Sequence, residues 1–333
     1  MGDVKFPRLA RLVNNDELWA AFQDFDRILS ESKQRLPIEQ HESPTNKIAH
    51  ALHEFAFDHF HLTLVFRFKA KEIGRGIFRA NEDKNPVVLF NLARALVEHT
   101  ASLAYQDQAL RKSIDDISSK HNIEQILNSI LSHKAIAQRL YYGGDGSPIP
   151  MKRIHVNDLL GALEKIDTSM KSIYDRLCEF VHPNYSSNTL VSSRDLASGR
   201  IGIPTGVLSP ELQFAQEAIE KCAGIESELI FSSTKSFVQI GDWVTISVQP
   251  GTKISNIFSV RSSHAGDGRT KESAIFFSKA RTHHEAIQAF YAYLEKEGIE
   301  LHNRQMAGVE NGFLYDIAKT SRGDLWVKYK MPS

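Results

Sequence analysis

Apolar residues along this chain follow two rhythms. Up to about residue 235 they recur at steps of three and four, and beyond it they alternate in short runs separated by turns. The first rhythm predicts a helix over 15–36, with Leu18, Phe22, Phe25 and Leu29 as its stripe and Pro37 as its stop. A second helix is expected over 43–70, followed by a glycine-punctuated connection, "KEIGRGIFRANEDKN". Asn85-Pro86 opens a third, carrying Leu89, Leu92, Leu96 and Leu103, and a fourth covers Ile123 to Tyr141. In the fifth, Leu159, Leu163, Ile166, Met170, Ile173, Leu177 and Val181 form one continuous stripe, with Asn157 as N-cap. Pro183 ends it, lacking an amide hydrogen and restricting its predecessor His182. A loop or short hairpin follows, and a sixth helix runs from Ser209 to about Phe231.

From Phe237 the runs "FVQIGDWVTISVQ", "KISNIFSVRS" and "ESAIFFSKA" read as strands, the first two joined by Pro250-Gly251. "THHEAIQAFYAYLEKEG" reads as an amphipathic helix capped by Thr282, with Glu285 at its third position and Gly298 at its end. "GFLYDIAKTSRGDLWVKYK" reads as a hairpin turning at Ser321–Asp324. The expected architecture is mainly α: a multi-helix bundle over 1–235, then a small α+β domain over 236–333.

Charge narrows the choice of partner. Forty basic and forty acidic residues cancel, so binding of nucleic acid requires a local patch or a dimer cleft. The two cysteines, Cys178 and Cys222, make neither a disulfide framework nor a four-ligand zinc site. The N-terminus has no apolar core of a signal peptide, and no run approaches the roughly eighteen apolar residues of a membrane span. A cytoplasmic protein with no membrane partner and no cofactor is the expectation.

In "HALHEFAFDHFH", His50, Glu54, Phe57 and His61 share a helical face, with His53 beside it. The spacing departs from two histidines four apart around a glutamate, so surface or interface histidines are expected there rather than a metal site. "YYGGDGSPIP" lacks the flanking strand and Lys-Ser or Lys-Thr of a phosphate loop. His264, Asp267 and Arg269 are expected in a loop between strands.

The stretch "YDRLCEFVHPNYSSN" holds the parts of a reaction centre. Arg176 and His182 are six positions apart, about 120° around an ideal helix. The backbone of His182 is already leaving the helix before Pro183, so the ring can swing back toward Arg176, whose own face carries Ser169, Ser172 and Glu179. A guanidinium presents a fork to phosphate, and an imidazole moves protons near neutral pH. Together these suit metal-free RNA cleavage. The structural alternative is a cation near a helix C-terminus, a favourable placement of about 0.3–1 kcal/mol. In that case Arg176 pairs with Glu98, Asp175 or Glu179, and His182-Pro183-Asn184 is a plain helix stop.

An arginine followed four to six residues later by a histidine at the end of a long helix resembles the signature of HEPN domains. "YDRLCEFVHPN" also resembles the matching segment of bacterial helical proteins related to HEPN or abortive-infection modules, and "LARALVEHTASLAY" resembles their earlier helix, with Arg94 and Glu98 one turn apart. The resemblance covers roughly 45–232. It implies a metal-independent endoribonuclease, in phage defence or a toxin system, whose homodimer binds RNA in a composite cleft. Arg176 would bind the scissile phosphate and His182 would act as acid or base. Ser172, Glu179, Asn184 and Tyr185 would contact substrate, with Arg94 and Glu98 in support. The residue after the arginine is commonly polar in active members of the family; here it is Leu177, on the apolar stripe. The other function class is a non-catalytic helical module for dimerisation or a protein partner, with a C-terminal recognition domain.

Overall fold

The computed structural model describes residues 5–14, 17–36, 44–118, 123–144, 146–183, 185–191, 209–248, 252–256, 259–266, 269–275, 288, 290–292, 294–295, 298–310, 313–321 and 323–330. Over these the protein is mainly helical. The helices are α1 (Pro7–Val13), α2 (Glu17–Gln34), α3 (Pro44–Glu82), α4 (Pro86–Ser118), α5 (Ile123–Tyr142), α6 (Val156–Glu164), α7 (Met170–Val181), α8 (Tyr185–Thr189) and α9 (Ser209–Ser247). The strands are β1 (Thr252–Asn256), β2 (Ser259–Gly266), β3 (Arg269–Ile275), β4 (Leu301–Glu310), β5 (Phe313–Thr320) and β6 (Gly323–Lys330). Two compact units form: Met1–Phe22, His59–Leu110 and Ile136–Lys235 in one, Gln23–Asp58, Arg111–Ala135 and Ser236–Ser333 in the other.

In the first unit Leu9 and Leu12 of α1, Phe60 and Ile77 of α3, Leu89, Phe90 and Leu96 of α4, and Leu163, Met170 and Leu177 of α6 and α7 are buried. Helix α1 was not legible in the apolar pattern. Pro7 starts it, and the exposed amides of its first turn find an acceptor on α9. Arg8 N–H donates to both oxygens of Glu220 (3.1 and 2.9 Å), and Leu9 N–H donates to Oε1 (3.1 Å).

The expected connection over 71–85 is helix instead. Helix α3 continues through Gly74 and Gly76 to Glu82. A Cβ on Gly74 would sit 2.6 Å from Val13 Cγ2, and one on Gly76 would sit 3.0 Å from Leu92 Cδ1. These glycines allow close packing rather than breaking the helix. The break comes later, where Lys84 takes φ 53° and Asn85 Oδ1 accepts from Val88 N–H at 3.1 Å, capping α4. Helix α4 is long and apolar enough by length and composition to cross a membrane, its most apolar 18-residue window within Pro86–Ile117 having mean hydropathy 1.2, but 56% of that window is buried inside the fold, as in a core helix.

The expected fifth helix is two. Residues 165–169 turn between α6 and α7, and Ile166, assigned to the core stripe, is exposed. Asp167 makes the break. Its Oδ1 accepts from the backbone N–H (2.9 Å) and hydroxyl (2.7 Å) of Ser169, and its Oδ2 pairs with Lys221 at 2.7 Å. A short carboxylate that satisfies nearby amides competes with the helical ladder. The Lys221 and Ser169 hydrogen bonds hold the Asp167 carboxyl down at about 2. The cap of α6 is His155 rather than Asn157: its Nδ1 accepts from Asn157 N–H at 3.2 Å.

In the second unit the expected strand over 237–249 is the end of α9. Phe237, Ile240, Trp243, Val244 and Val248 are buried, a helical rhythm despite its β-branched residues. Gly241 admits Phe25, whose Cε2 would lie 3.2 Å from an added Cβ. The sheet has the order β1-β2-β3-β6-β5-β4, with β3 and β6 parallel. The hairpin at Ser321 is present, with Thr320 opposite Gly323. Strand β4 was not anticipated; Glu310 pairs with Phe313, leaving only Asn311-Gly312 between strands. His264 and Arg269, expected in a loop, lie in β2 and β3, and Asp267 is outside the described residues. Residues 288, 290–292 and 294–295 are helical, and Gly298 (φ +61°) follows. Ile299 N–H donates to Leu294 O and Gly298 N–H to Glu295 O, closing the helix around two buried apolar residues. Thr282 and Glu285 are outside the described residues.

The glycines give a paired test. Gly161, inside α6, has nothing within 4 Å of an added Cβ. Gly161→Ala should stabilise by about 0.5–1 kcal/mol through helix propensity. Gly74→Ala should destabilise by about 1 kcal/mol, because overpacking against Val13 exceeds the same gain. Urea unfolding midpoints report both, and a stabilised Gly74→Ala would show that α1 can shift freely.

Candidate functional site

Ser172, Arg176 and Glu179 follow helical steps along α7 and are exposed. The Ser172 hydroxyl donates to Ser169 O at 2.8 Å. At the helix end His182 N–H donates to Cys178 O (3.0 Å) while its own backbone is extended (φ −76°, ψ 147°). The imidazole is exposed, with Pro183 next. Tyr185 opens α8, and Asn184 lies outside the described residues.

Among the described residues Arg176 makes none of the ion pairs that the structural alternative required. Its guanidinium carbon lies 4.0 Å from the ring centroid of Phe214 on α9. Stacking uses the face of the guanidinium and leaves its in-plane N–H groups to donate. Glu98 is engaged elsewhere. It accepts from the Tyr174 hydroxyl at 2.9 Å and from Arg94 Nε at 3.1 Å, and Arg94 Nη2 lies 3.4 Å from the same hydroxyl. Burial pushes the Tyr174 phenol up to about 12, Arg94 opposing and Glu98 adding, so it remains a donor. Partial burial opposes the charge on Arg94, but Tyr174 and Glu98 outweigh it and hold the proton more tightly. Leu177 is fully buried, as its place on the stripe required.

A cavity of about 400 Å³ opens beside this cluster, lined by Lys69, Arg94, Glu98, His99, Arg153 and Tyr174 among others. Neither Arg176 nor His182 lines it. Sequence reasoning found Arg94 and Glu98 but missed Tyr174, Lys69 and Arg153, which come from separate segments. The one available signal was Tyr174, two positions before the arginine already singled out.

The histidine-rich stretch of α3 is divided among separate partners. His53 is buried with Nε2 3.0 Å from Leu29 O, Glu54 pairs with Lys134, and the His61 ring lies 6.1 Å from that of Tyr141. Among the described residues no group of three His, Cys, Asp or Glu could hold a metal ion.

Beneath the cavity lies a buried polar core. Thr100 Oγ1 is 2.8 Å from both Leu96 O and Glu226 Oε1, but a hydroxyl has one proton to give. A protonated Glu226 resolves this by donating to Thr100, which donates to Leu96. Burial raises Glu226 from 4.5 to about 7, the positive charge of Arg67 opposing. His99, 3.8 Å away, is pulled down to about 3 by burial and by Lys69. Burial likewise pushes the Cys222 thiol up to about 12.

A raised carboxyl favours the protonated folded state. Its contribution to stability is complete below about pH 4.5 and is lost as pH rises through about 7. Glu226→Gln keeps a donor for Thr100 and cannot ionise. In urea unfolding from pH 4.5 to 8 the wild type should lose stability relative to the variant, the two converging at the acid end. A constant gap across that range would show that Glu226 does not titrate there.

No protein-family model matches the chain, and neither a curated protein nor a solved structure matches it.

Proposed function

We propose that the helical unit is a metal-independent endoribonuclease of HEPN type, acting as a homodimer through Arg176 and His182. The observation that carries this reading is the state of Arg176. It is stacked on Phe214, exposed, and without an ion-pair partner among the described residues, so its donor edge is available to a phosphate. His182 supports it, being exposed on extended backbone at the end of the same helix.

In the proposed reaction the neutral His182 imidazole takes the proton of a ribose 2′-hydroxyl. The oxygen attacks the adjacent phosphorus, and the bond to the 5′-oxygen breaks as an imidazolium of the second copy returns a proton to it. The products are a 2′,3′-cyclic phosphate and a 5′-hydroxyl, with no net proton change. Arg176 binds the non-bridging oxygens as their charge grows. Phage defence or a toxin system is the setting that the family resemblance suggests.

Full-length protein incubated with total RNA in EDTA tests this. Wild type should cleave, and Arg176→Ala and His182→Ala should each lose about 100-fold or more. Both side chains are exposed, so circular dichroism should show the variants folded. Intact RNA with wild type at high concentration, or full cleavage by His182→Ala, overturns the proposal and favours the interaction module.

A further inference from the structure

The cavity beside Tyr174 lies apart from the proposed reaction centre, and its chemistry points to a ligand. Arg94 and Glu98 offset one another within it. Lys69 and Arg153 also line it, and among the described residues neither has an ion pair or a side-chain hydrogen bond. The cavity therefore presents two uncompensated cations beside a guanidinium–carboxylate pair: Lys69 from α3 and Arg153 from the strap before α6. Its volume of about 400 Å³ falls within the roughly 300–1,000 Å³ of small-molecule sites.

The rest of the lining sorts into two kinds. His155 accepts at Nδ1 to cap α6, which leaves Nε2 as a donor. The first turn of α6, nine residues long, lies at the same place and adds the positive end of its dipole. Behind them His99 is 2% exposed, its ring edge-on to Phe66 at 5.5 Å, and neither nitrogen completes a hydrogen bond. Ile154, Val156 and Leu159 supply an apolar wall. Cations and donors beside an apolar wall suit a molecule with an anionic head and an uncharged body.

The strap that carries Arg153 is built onto the end of α5. Gly143 forms a bridge with Met151, and Arg139 Nε donates to Lys152 O at 3.2 Å. A Cβ on Gly143 would meet Arg153 Cα at 2.7 Å. Only glycine lets the strap lie this close, so the position of Arg153 is set by backbone contact rather than by a flexible loop.

We propose that this cavity binds a small organic phosphate, its phosphate held by Lys69 and Arg153 and its body against Ile154, Val156 and Leu159. The site does not rest on the ribonuclease reading, since neither Arg176 nor His182 lines it.

Isothermal titration of the full chain with AMP, ribose 5-phosphate, adenosine and inorganic phosphate tests the site. AMP or ribose 5-phosphate should bind, adenosine should not, and Arg153→Ala and Lys69→Ala should each weaken binding by about tenfold or more. Gly143→Ala should weaken it by displacing Arg153, while Arg176→Ala and His182→Ala should leave it unchanged. Inorganic phosphate binding as tightly as the esters would assign the anion site to free phosphate and overturn the organic ligand. No binding of either ester at millimolar concentration, or binding indifferent to both Arg153→Ala and Lys69→Ala, overturns the site. Lys69 and Arg153 are exposed, so loss of fold does not stand in for loss of binding.

Discussion

The Glu98 carboxylate is the interaction on which both candidate sites depend. Through the Tyr174 hydroxyl it fastens α7 to α4, and through Arg94 it fixes a guanidinium at the cavity wall. Tyr174 must stay protonated to donate, and burial with the nearby carboxylate keeps it so. Arg176, two positions further along α7, lies over the ring of Phe214 instead. Gln108 adds a second tie from α4, donating to Ala162 O on α6 at 2.7 Å.

Helix α9 receives the other ends of these arrangements. Phe214 lies under Arg176, Glu220 accepts the first amides of α1, Lys221 pairs with Asp167, and Glu226 reaches Thr100. These positions span little more than three turns of one helix. The half-buried contact, Lys221 with Asp167, places the break between α6 and α7; the buried one, Glu226 with Thr100, leaves a carboxyl in the core with an unpartnered Oε2. Burial of such a group is costly when it ionises, so this core is least strained with Glu226 protonated.

Local rules were legible in the sequence, and rules of close approach were not. Pro183 sets the end of α7 through its own covalent geometry, so the exit of His182 could be read directly. Asp167 acts through neighbouring amides and was legible in principle, but a helical stripe running across it hid the break. Gly74 and Gly76 read as breakers because the sequence does not reveal that Val13 and Leu92 press against them. The β-branched residues of 237–248 suggested a strand, while the spacing of Phe237, Ile240, Val244 and Val248 already carried the helical period. Arg176 and His182 stand close in sequence and could be paired on paper; Lys69, Arg94 and Arg153 meet only through the fold.

The strap held at Gly143 has a consequence for how such a protein can change. Most walls of the cavity belong to helices whose opposite faces build the core, so altering them risks the whole unit. Residues 146–155 carry Arg153, Ile154 and His155 outside that frame, anchored by a few backbone contacts at α5. Their side chains are therefore an exchangeable panel, on which ligand preference can drift while the scaffold beneath it stays fixed.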